Sequence, residues 1–598
     1  MPSVASPFEL TGPLKKIPAV GPLLLSVAEC ALALQRLANI HRQLAGSNFT
    51  SPARFAEAAL QILQVRFEVD PSKLDLIPRS GPAAIVANHP YGGLEGLYLI
   101  QLLLDLRPDA KLIGNQLLHR IPELRDVIIP VDAFGGSHAT RHNGRGMRAA
   151  LRHVQQGGLV LIFPAGAVSH LHLSAGRVCD PVWNPTAARF LRMCGCPVIP
   201  MNFGGGNSSI FQTLGLLHPR MRTVMLSHEL LNKRNRVIPV TIGRAIKASD
   251  LRDQPDDIAL ARSLRLSTYA LEAHRPIQRR STRLPQPPAD AVATALIRAE
   301  IAQLPAQNTL VTSRDMQVLF ARADQIPWTL REIGRLREIA FRAVGEGTGN
   351  SRDLDDYDSH SVHMFAWDNA RGSIVGAYRL GHVDEILRQR GRRGLYTHSL
   401  FSYGPPLLRA LGNALELGRS FIVPEHQRNF GALLLLWKGI AQYVVQHPRY
   451  RVLFGPVSVS AEYRPHSQAL LVDFLKRTCF DHQLAQLIRA RRPFRRTHSL
   501  AALSGDLAVL GDVDGLSELM TQIEPDGKGV PVLLRQYLKL GAKVIGFNVD
   551  ANFSDVVDGM IVVDLARVEP RELSKYMGRE GAESFLAHHK EHAAAAMG

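Results

Sequence analysis

A short apolar run that ends in a histidine-bearing turn is the sequence feature that most constrains the fold. Residues Ala83–Ala87 are uniformly apolar, and the turn sequence Asn-His-Pro-Tyr-Gly-Gly follows before a helical pattern begins. Open α/β sheets place their sites where a strand runs into such a turn. The imidazole of His89 can take a proton from a hydroxyl, and Glu95 can hold its tautomer and stabilise the imidazolium. A histidine that only closes the turn through backbone hydrogen bonds is the alternative.

Apolar runs and helical patterns alternate through the first half of the chain. Thr50 or Ser51 is suited to cap a helix that has Pro52 at its first position. Further strands are predicted at 127–131, 159–163 and 198–203, and helices at 97–106, near 147–154 and at 187–193. This alternation predicts an α/β domain.

Three more stretches follow the histidine turn in a fixed order. They are Gly135 with Arg141 or Arg145, then Phe163-Pro164-Ala165-Gly166, and then Val198-Ile199-Pro200. Together with the histidine turn they resemble the ordered blocks of the glycerolipid acyltransferase superfamily, and 207–219 is similar to its haemolysin-like branch. The resemblance implies acyl transfer to a hydroxyl, with substrate bound by Arg141, Arg145, Phe163, Pro164 and Gly166. The family commonly has Asp one position before Glu95 and Glu at Ala165, so a glycerol-phosphate acceptor is in doubt.

The charge balance limits the class of partner. The formal net charge is +17, which favours an acidic partner such as anionic lipid or an acidic carrier protein. Nucleic acid is not expected, because no recognition motif accompanies the basic runs. Five cysteines without a secretory signal favour a reducing compartment, and Cys194-Gly-Cys196 lacks the spacing of a zinc site, so no metal is expected.

A Pro- and Arg-rich break after residue 273 separates two dissimilar halves. Low hydrophobicity and a run of positive charge predict a linker there, and no repeat of fixed period crosses it. The predicted organisation is a membrane-proximal segment at 1–50, an O-acyltransferase domain at 51–273, a linker at 274–292 and a second domain at 293–598. No run is long and apolar enough to span a bilayer. The segment Ile17–Leu34 could lie amphipathically at a membrane surface or pack on its own domain.

The second half carries an acidic cluster in an otherwise basic chain. It follows a predicted helix at 335–342 and consists of Asp353, Asp355, Asp356 and Asp358. Carboxylates can hold the ammonium group of an amine substrate through charge-assisted hydrogen bonds. A turn whose aspartates only cap their neighbours is the alternative.

Predicted strands at 372–380 and 415–423 lead to an apolar helix at 433–445. Glu416 is the candidate base that removes a proton from the amine, unless it only pairs with Arg419. The backbone amides at the helix start near Gly431, with Arg428 beside them, suit the phosphate of a pantetheine arm.

Taken in order, these features resemble the acetyltransferase-fold (GNAT-like) N-acyltransferases that use acyl-carrier-protein donors. This group includes the N-acylating enzymes of ornithine-lipid synthesis and, more distantly, the autoinducer synthases, and the similarity covers about 312–565. The resemblance implies substrate binding by Arg419 and donor binding by Arg428 and Gly431. It implies no tightly bound cofactor and no metal, since acyl carrier protein supplies the acyl group as a phosphopantetheine thioester.

Both halves together resemble the bifunctional ornithine-lipid synthases, an O-acyltransferase fused ahead of an N-acyltransferase. The implied fold class is α/β in both domains. In the implied order, the C-terminal domain transfers a 3-hydroxyacyl group to the α-amine of ornithine, and the N-terminal domain acylates the 3-hydroxyl of lyso-ornithine lipid. The implied location is the bacterial cytoplasm, peripheral on the inner face of the cytoplasmic membrane.

Three other interpretations stay open at this point. The chain could be a lysophospholipid acyltransferase whose C-terminal half only binds carrier protein. It could make an aminolipid from another amino acid, such as lysine, glutamine or glycine. It could also be a lipid-binding or membrane-lytic protein without catalysis, although such a protein has no use for a His and Glu pair.

Overall fold

The chain forms two compact units, and each is described by itself. The computed structural model describes residues 33–44, 49–115, 118–131, 139–173, 177–217, 219–272, 286–427, 430–495 and 510–595. The first unit comprises Met1–Pro276 and Thr497–Gly529, and the second comprises Ile277–Arg496 and Val530–Gly598.

The strands include all six that the sequence predicted, each close to its predicted bounds, together with others that the sequence analysis did not predict. In chain order they are β1 (Arg66–Val69), β2 (Ala83–Ala87), β3 (Lys111–Asn115), β4 (Ile128–Val131), β5 (Leu159–Ile162), β6 (His170–His172), β7 (Arg177–Cys179), β8 (Val198–Phe203), β9 (Val237–Ile242), β10 (Thr309–Ser313), β11 (Met316–Arg322), β12 (Val362–Asp368), β13 (Ser373–His382), β14 (Phe401–Tyr403), β15 (Ala414–Ile422), β16 (Val452–Val459), β17 (Ile488–Ala490), β18 (Lys543–Asp550) and β19 (Val556–Asp564).

The helices fill the intervals between these strands. After a helical stretch at 33–44, they are α1 (Pro52–Leu63), α2 (Leu94–Leu106), α3 (Ala139–Gln155), α4 (Pro185–Cys194), α5 (Ser209–Leu217), α6 (Pro219–Leu231), α7 (Ala248–Arg252), α8 (Asp257–Tyr269), α9 (Thr294–Gln303), α10 (Pro327–Arg342), α11 (Val383–Arg390), α12 (Thr397–Leu400), α13 (Pro405–Leu411), α14 (Phe430–Gln446), α15 (Pro465–Thr478), α16 (His482–Ala485), α17 (Val513–Ile523), α18 (Val532–Lys539), α19 (Pro570–Met577) and α20 (Arg579–Ala595).

The first unit is built on a seven-stranded sheet of order β1-β9-β8-β2-β5-β3-β4. Neighbouring strands are parallel except β8 and β9. Strand β2 is buried on both faces: Ile85 packs in the core under α1 and α2, and Val86 packs in the opposite core under α4 and α8. A strand covered on both faces reads as a continuous apolar run, which explains why the sequence revealed it. Ser51 caps α1.

The second unit is built on an eight-stranded sheet of order β10-β11-β12-β13-β15-β16-β19-β18. Its neighbours are antiparallel except β15 and β16. The parallel pairing of β15 and β16 stops after Glu416 and Phe454, although the strands continue to Ile422 and Val459. The two strands therefore separate in the middle of the sheet. The predicted α/β class is confirmed for both units.

The division into units differs from the predicted domains in one respect. Within the interval predicted as a linker, the chain changes units after Pro276, but Thr497–Gly529 returns to the first unit instead of belonging to a continuous 293–598 domain. Helix α17 of this segment is amphipathic, and its Leu519 lines a small cavity together with Leu251 and Leu264. An amphipathic pattern shows that a helix packs on a core but does not specify which core, so the sequence could not assign it.

None of the helices within the described ranges is long and apolar enough to cross a membrane. The predicted membrane-surface segment Ile17–Leu34 lies outside the described residues, apart from Ala33 and Leu34.

Candidate active sites

The histidine turn of the first unit lies at the carboxyl end of the central strand β2. Gly92 adopts a positive φ of 98° in this turn, and α2 begins at Leu94, so the chain folds back and brings Glu95 beside His89. Nδ1 of His89 lies 3.8 Å from Oε1 of Glu95, and Oε1 also accepts the backbone N–H of Tyr91 at 2.5 Å. The structure therefore brings the predicted base and its carboxylate together, just beyond hydrogen-bond distance.

Burial sets the charge states of the two groups. It lowers the pKa of His89 to about 4 and raises the pKa of the fully buried Glu95 to about 7. A neutral imidazole is the form that can accept a proton. The pair can therefore act as a base on a hydroxyl, and a charged Glu95 would stabilise the imidazolium that forms.

The Phe-Pro-Ala-Gly stretch lies next to this histidine. The ring of Phe163, at the end of β5, stacks on the imidazole of His89 with centroids 4.3 Å apart. The carbonyl of Pro164 accepts the backbone N–H of Asn184 at 3.0 Å, and Gly166 has a positive φ of 63° that suits the turn after the strand.

The position of the predicted arginine block relative to His89 is only partly described. Arg141 and Arg145 both fall in α3. The side chain of Arg141 and the preceding Gly135 lie outside the described part of the chain, and Arg145 is exposed. Their role in substrate binding stays a prediction.

A buried carboxylate that the sequence did not reveal holds the backbone of the histidine turn. Asp180 accepts the backbone N–H of His89 at 3.1 Å and the Ser169 hydroxyl at 2.5 Å, and its other oxygen accepts the Trp183 indole N–H at 2.9 Å. The backbone N–H of Ser169 donates in turn to the His89 carbonyl at 2.8 Å. Both sides of His89 are therefore fixed by residues about 80 to 90 positions away, a distance over which spacing gives no signal.

Asn88 fixes the end of β2 against its neighbour. Its side-chain amide donates to the carbonyl of Phe203 at 2.9 Å and accepts the N–H of the same residue at 2.7 Å. This two-way bond ties the turn to the end of β8, so the histidine is presented by a rigid strand edge rather than by a free loop.

In the second unit, a strip of polar side chains crosses one face of the sheet. The pairing register places Arg379, Glu416, Ser458 and Asp558 on the same face. Apolar clusters flank this polar strip, one around Phe365 under α10 and α9, the other under α12 and α13. Charged groups inside a core need partners, and most of the strip has them.

The acidic cluster is paired with three buried arginines. Arg337 lies 3.0 Å from Asp353 and 2.9 Å from Asp358, and Arg379 lies 2.5 Å from Asp355 and 3.3 Å from Asp358. Arg419 completes the network at 3.2 Å from Asp353 and 3.4 Å from Asp355.

This pairing shows that most of the carboxylates predicted to hold an ammonium group are engaged within the protein. Three of the four carboxylates already neutralise arginines that are remote in sequence. The fourth, Asp356, is exposed. The cluster therefore fixes Arg337, Arg379 and Arg419 in the polar strip, and direct contact of its carboxylates with substrate stays a prediction.

Glu416 is buried at the point where β15 and β16 separate. It accepts the backbone N–H groups of Tyr396 and Thr397 at 3.0 and 2.8 Å and the Thr397 hydroxyl at 2.6 Å. Burial raises the pKa of its carboxyl, and these three bonds partly oppose the shift. Its partners are thus the residues at the start of α12, and not Arg419 as the alternative interpretation had it.

Arg419 projects from a strained position on the same strand. Its φ is +49°, and the register between β13 and β15 shifts beside it. The guanidinium lies over the rings of Tyr396 and Phe553 at 4.7 and 4.9 Å and donates to the Tyr396 hydroxyl at 2.9 Å.

The predicted donor site is only partly described. Gly431 lies in the first turn of α14, where backbone N–H groups can meet a phosphate. Arg428 lies outside the described residues. Donor binding by this pair stays a prediction.

Two family models match the chain, one in each half. Residues 39–253 match the family described as acyltransferase, and residues 336–438 match the acetyltransferase (GNAT) domain. The chain is an acyltransferase that carries these two kinds of domain in that order. The prediction of an architecture like that of the bifunctional ornithine-lipid synthases is confirmed.

Relatives with defined names each match only a part of the chain. A glycine N(alpha)-acyltransferase of Bacteroides thetaiotaomicron is 29% identical over 46% of this chain and 84% of its own length. An L-ornithine N(alpha)-acyltransferase of Agrobacterium fabrum is 26% identical over 45% of this chain and 90% of its own. A lyso-glycine lipid O-acyltransferase of Phocaeicola vulgatus is 26% identical over 32% of this chain and 68% of its own.

Proposed function

We propose that this chain makes a diacylated aminolipid in two consecutive steps. The C-terminal domain joins a 3-hydroxyacyl group from acyl carrier protein to the α-amine of ornithine. The N-terminal domain then acylates the 3-hydroxyl of the lyso-lipid. One observation carries the proposal: the chain joins an acyltransferase domain to a GNAT domain, and it is similar to separate proteins named for N-acylation of an amino acid and for O-acylation of a lyso-aminolipid.

In the first step, the amine attacks the thioester carbonyl, the C–N bond forms and the C–S bond breaks to release the carrier thiol. The ammonium form must lose a proton before it attacks. Glu416 is the proposed acceptor, and burial raises the pKa of its carboxyl, which makes it a better base than an exposed carboxylate. Arg419, held by Asp353 and Asp355, is suited to bind the carboxylate of the amino acid.

In the second step, His89 takes the proton of the 3-hydroxyl as its oxygen attacks an acyl thioester, and the proton then passes to the departing thiolate. Glu95 stabilises the imidazolium, and Asp180 holds the turn in place through the backbone of His89. No covalent enzyme intermediate is required.

A membrane-surface location fits the proposed chemistry. The lyso-lipid intermediate is amphipathic, and the net charge of +17 favours both an anionic lipid surface and an acidic carrier protein. Two activities in one chain also keep the intermediate at a raised effective concentration near the second site. We therefore propose a peripheral protein on the inner face of the cytoplasmic membrane.

Glycine is the second candidate acceptor. The observation that favours it is the 29% identity to a glycine N(alpha)-acyltransferase, compared with 26% or 28% for the ornithine-named relatives. The two acceptors give lipids of different mass, so one experiment distinguishes them.

The test is mass spectrometry of the lipids of a bacterium that lacks aminolipids and expresses this chain. We expect a phosphorus-free lipid with one amide-linked and one ester-linked chain on ornithine. His89→Ala should remove the diacylated product and accumulate the lyso-lipid, because only the second step loses its base, whereas Glu416→Gln should remove both lipids.

His119→Ala is the matched control, since this histidine lies in the same unit but outside the turn, and we expect a normal product. Diacylated lipid in the His89→Ala strain would contradict the assignment of the second step. The absence of any new aminolipid, together with altered phospholipid chains, would instead favour a lysophospholipid acyltransferase.

A further inference from the structure

A second group of carboxylates lies on the polar strip and beside it, and within the described part of the chain it forms no ion pair with arginine. Glu346, Asp550 and Asp558 are 9%, 7% and 2% exposed. Asp558 accepts the Ser458 hydroxyl at 2.8 Å, and Asp550 accepts the Tyr396 hydroxyl at 3.4 Å. Within the described ranges, Glu346 has no hydrogen-bonding or ionic partner for its carboxylate. A carboxylate that is nine-tenths buried and unpaired calls for a ligand.

Two hydrogen bonds hold the loop that contains Glu346 close to the strands that contain Asp550 and Asp558. The hydroxyl of Ser460, just after β16, donates to the carbonyl of Val344 at 2.8 Å, and the hydroxyl of Ser554, in the β18–β19 turn, donates to the carbonyl of Gly347 at 3.3 Å. The loop after α10 is thus bonded on both sides of Glu346 to the strand end and the turn that flank Asp558, and the Asp558 carboxylate is near enough to raise the pKa of Glu346.

The charges of the group favour a cation. Burial, with Asp558 and Glu462 nearby, raises the pKa of Glu346 to about 8, and burial with Asp550 nearby raises the pKa of Asp558 to about 7. The neighbouring Arg419 is already paired with Asp353 and Asp355. A positively charged group would relieve this mutual repulsion.

The register also gives the distance from the proposed base. Glu416 pairs with Phe454 across one edge of β16, and Asp558 pairs with Ser458 across its other edge, on the same face. The two positions are therefore offset by four residues along the strand, in addition to the width of β16. Four residues of strand span about 13 Å, whereas a charge-assisted hydrogen bond spans only about 2.8 Å. One ammonium group cannot contact both positions, but a molecule with two ammonium groups can extend from one toward the other.

We propose that Glu346 and Asp558 bind the second, non-reacting ammonium group of a diamino acid acceptor while its α-amine faces Glu416. The inference rests on the proposed N-acylation and adds the feature that selects the acceptor. Glycine has no group to place at this position, whereas ornithine and lysine do. The side-chain ammonium stays protonated there, so only the α-amine becomes a nucleophile.

The test measures N-acylation by the full-length protein with 3-hydroxyacyl carrier protein as donor and ornithine, lysine or glycine as acceptor. We expect the wild type to prefer the diamino acids. Glu346→Gln should raise the KM for ornithine about tenfold or more, the loss of a charge-assisted bond, and leave the kinetics with glycine unchanged. Asp558→Asn should act in the same direction, and Glu580→Gln, an exposed carboxylate of the same unit, should change nothing.

A binding measurement guards against variants that simply fold poorly. Ornithine and 1,4-diaminobutane should each raise the thermal unfolding temperature of the wild type, and Glu346→Gln should abolish both shifts without lowering the temperature measured in their absence. An unchanged ornithine KM in both variants would overturn the inference while N-acylation stands. A wild type that prefers glycine would do the same. A wild type that acylates no amino acid would overturn the proposed function itself and the inference with it.

Discussion

At the residue scale, Glu95 has to be charged in a place where charge is unfavourable. It is fully buried, and burial raises the pKa of its carboxyl from the ordinary 4.5 to about 7. Its neighbour His89, with a pKa lowered to about 4, is neutral throughout the physiological range. In the proposed O-acylation, the protonation of Glu95, and not that of the base, therefore controls how well the imidazolium is stabilised.

The rate of O-acylation should consequently rise with pH through about 7 as Glu95 loses its proton. Glu95→Gln should lower the rate by roughly two orders of magnitude or more, as expected when an orienting carboxylate is lost, and should flatten this pH dependence. The measurement is conversion of purified lyso-lipid as a function of pH. A wild-type rate that is constant across this interval would contradict the role of Glu95.

Glu95→Gln, which should lower the rate, should raise the stability of the fold at high pH. Because the folded-state pKa is the higher one, the unfolded chain loses its proton first as pH rises, and stability falls between about 4.5 and about 7. Above that interval the charged Glu95 costs about 3 kcal/mol at about 1.4 kcal/mol per pKa unit. Glu95→Gln should therefore unfold at a higher temperature than the wild type in alkaline buffer and not in acid, whereas the exposed Glu68→Gln should show neither change.

The parts of the sites that could be predicted are those in which the contacts are local. His89 and Glu95 lie within one turn and helix start, so their proximity follows from spacing alone. Asp180 reaches the same turn from beyond β7. The carboxylates of 353–358 were predicted without their arginines, because β13 and β15 bring Arg379 and Arg419 to them only when the sheet has formed.

At the element scale, the close approach of β15 and β16 at the point where they begin to separate depends on one glycine. A side-chain carbon on Gly455 of β16 would collide with the carbonyl oxygen of Leu417 on β15. The strands can approach at Glu416 only because this position has no side chain. Gly455 therefore lies where the paired part of β15 and β16 ends and the opening between the two strands begins.

Gly455→Ala should force the parallel pair apart and lower both the unfolding temperature and N-acylation, at a cost of about 1–3 kcal/mol, typical of overpacking. Gly418→Ala is the matched control on β15, because among the described residues a carbon there meets no atom within 4 Å. Thermal unfolding of the two variants provides the measurement. Equal unfolding temperatures would show that β16 accommodates the extra carbon.

The strands that could be predicted are those with long apolar runs. Strands β2 and β8 match their predicted bounds, because burial on both faces makes nearly all of their residues apolar. Pairing partners were not predictable, since the partner of β16 on one side is β19, about a hundred residues later. Topology depends on contacts that no local pattern encodes.

At the scale of the whole molecule, the returning segment 497–529 links the stability of the first unit to a distant part of the chain. Helix α17 buries Leu516, Leu519, Met520 and Ile523. Burying each such side chain contributes about 1.5–3 kcal/mol.

A fragment of residues 1–292 should therefore unfold at a lower temperature than the same fragment with 510–529 appended through a flexible linker. The loss of α17 exposes Leu251, Leu260 and Leu264, which line a cavity with Leu519. Differential scanning calorimetry of the two fragments is the measurement. Identical unfolding temperatures would mean that the helix adds nothing to the first unit, and a scrambled 510–529 sequence controls for the added length.

The chain passes from one unit to the other three times, after Pro276, Arg496 and Gly529. Recombination between related genes therefore cannot replace one whole unit by exchanging a single continuous segment. A genetic crossover with a single breakpoint in the linker would pair the first unit with a foreign α17, and a faithful exchange needs three coordinated breakpoints. Selection for a new amino acid acceptor would thus act more readily through point changes in the second unit than through shuffling whole modules.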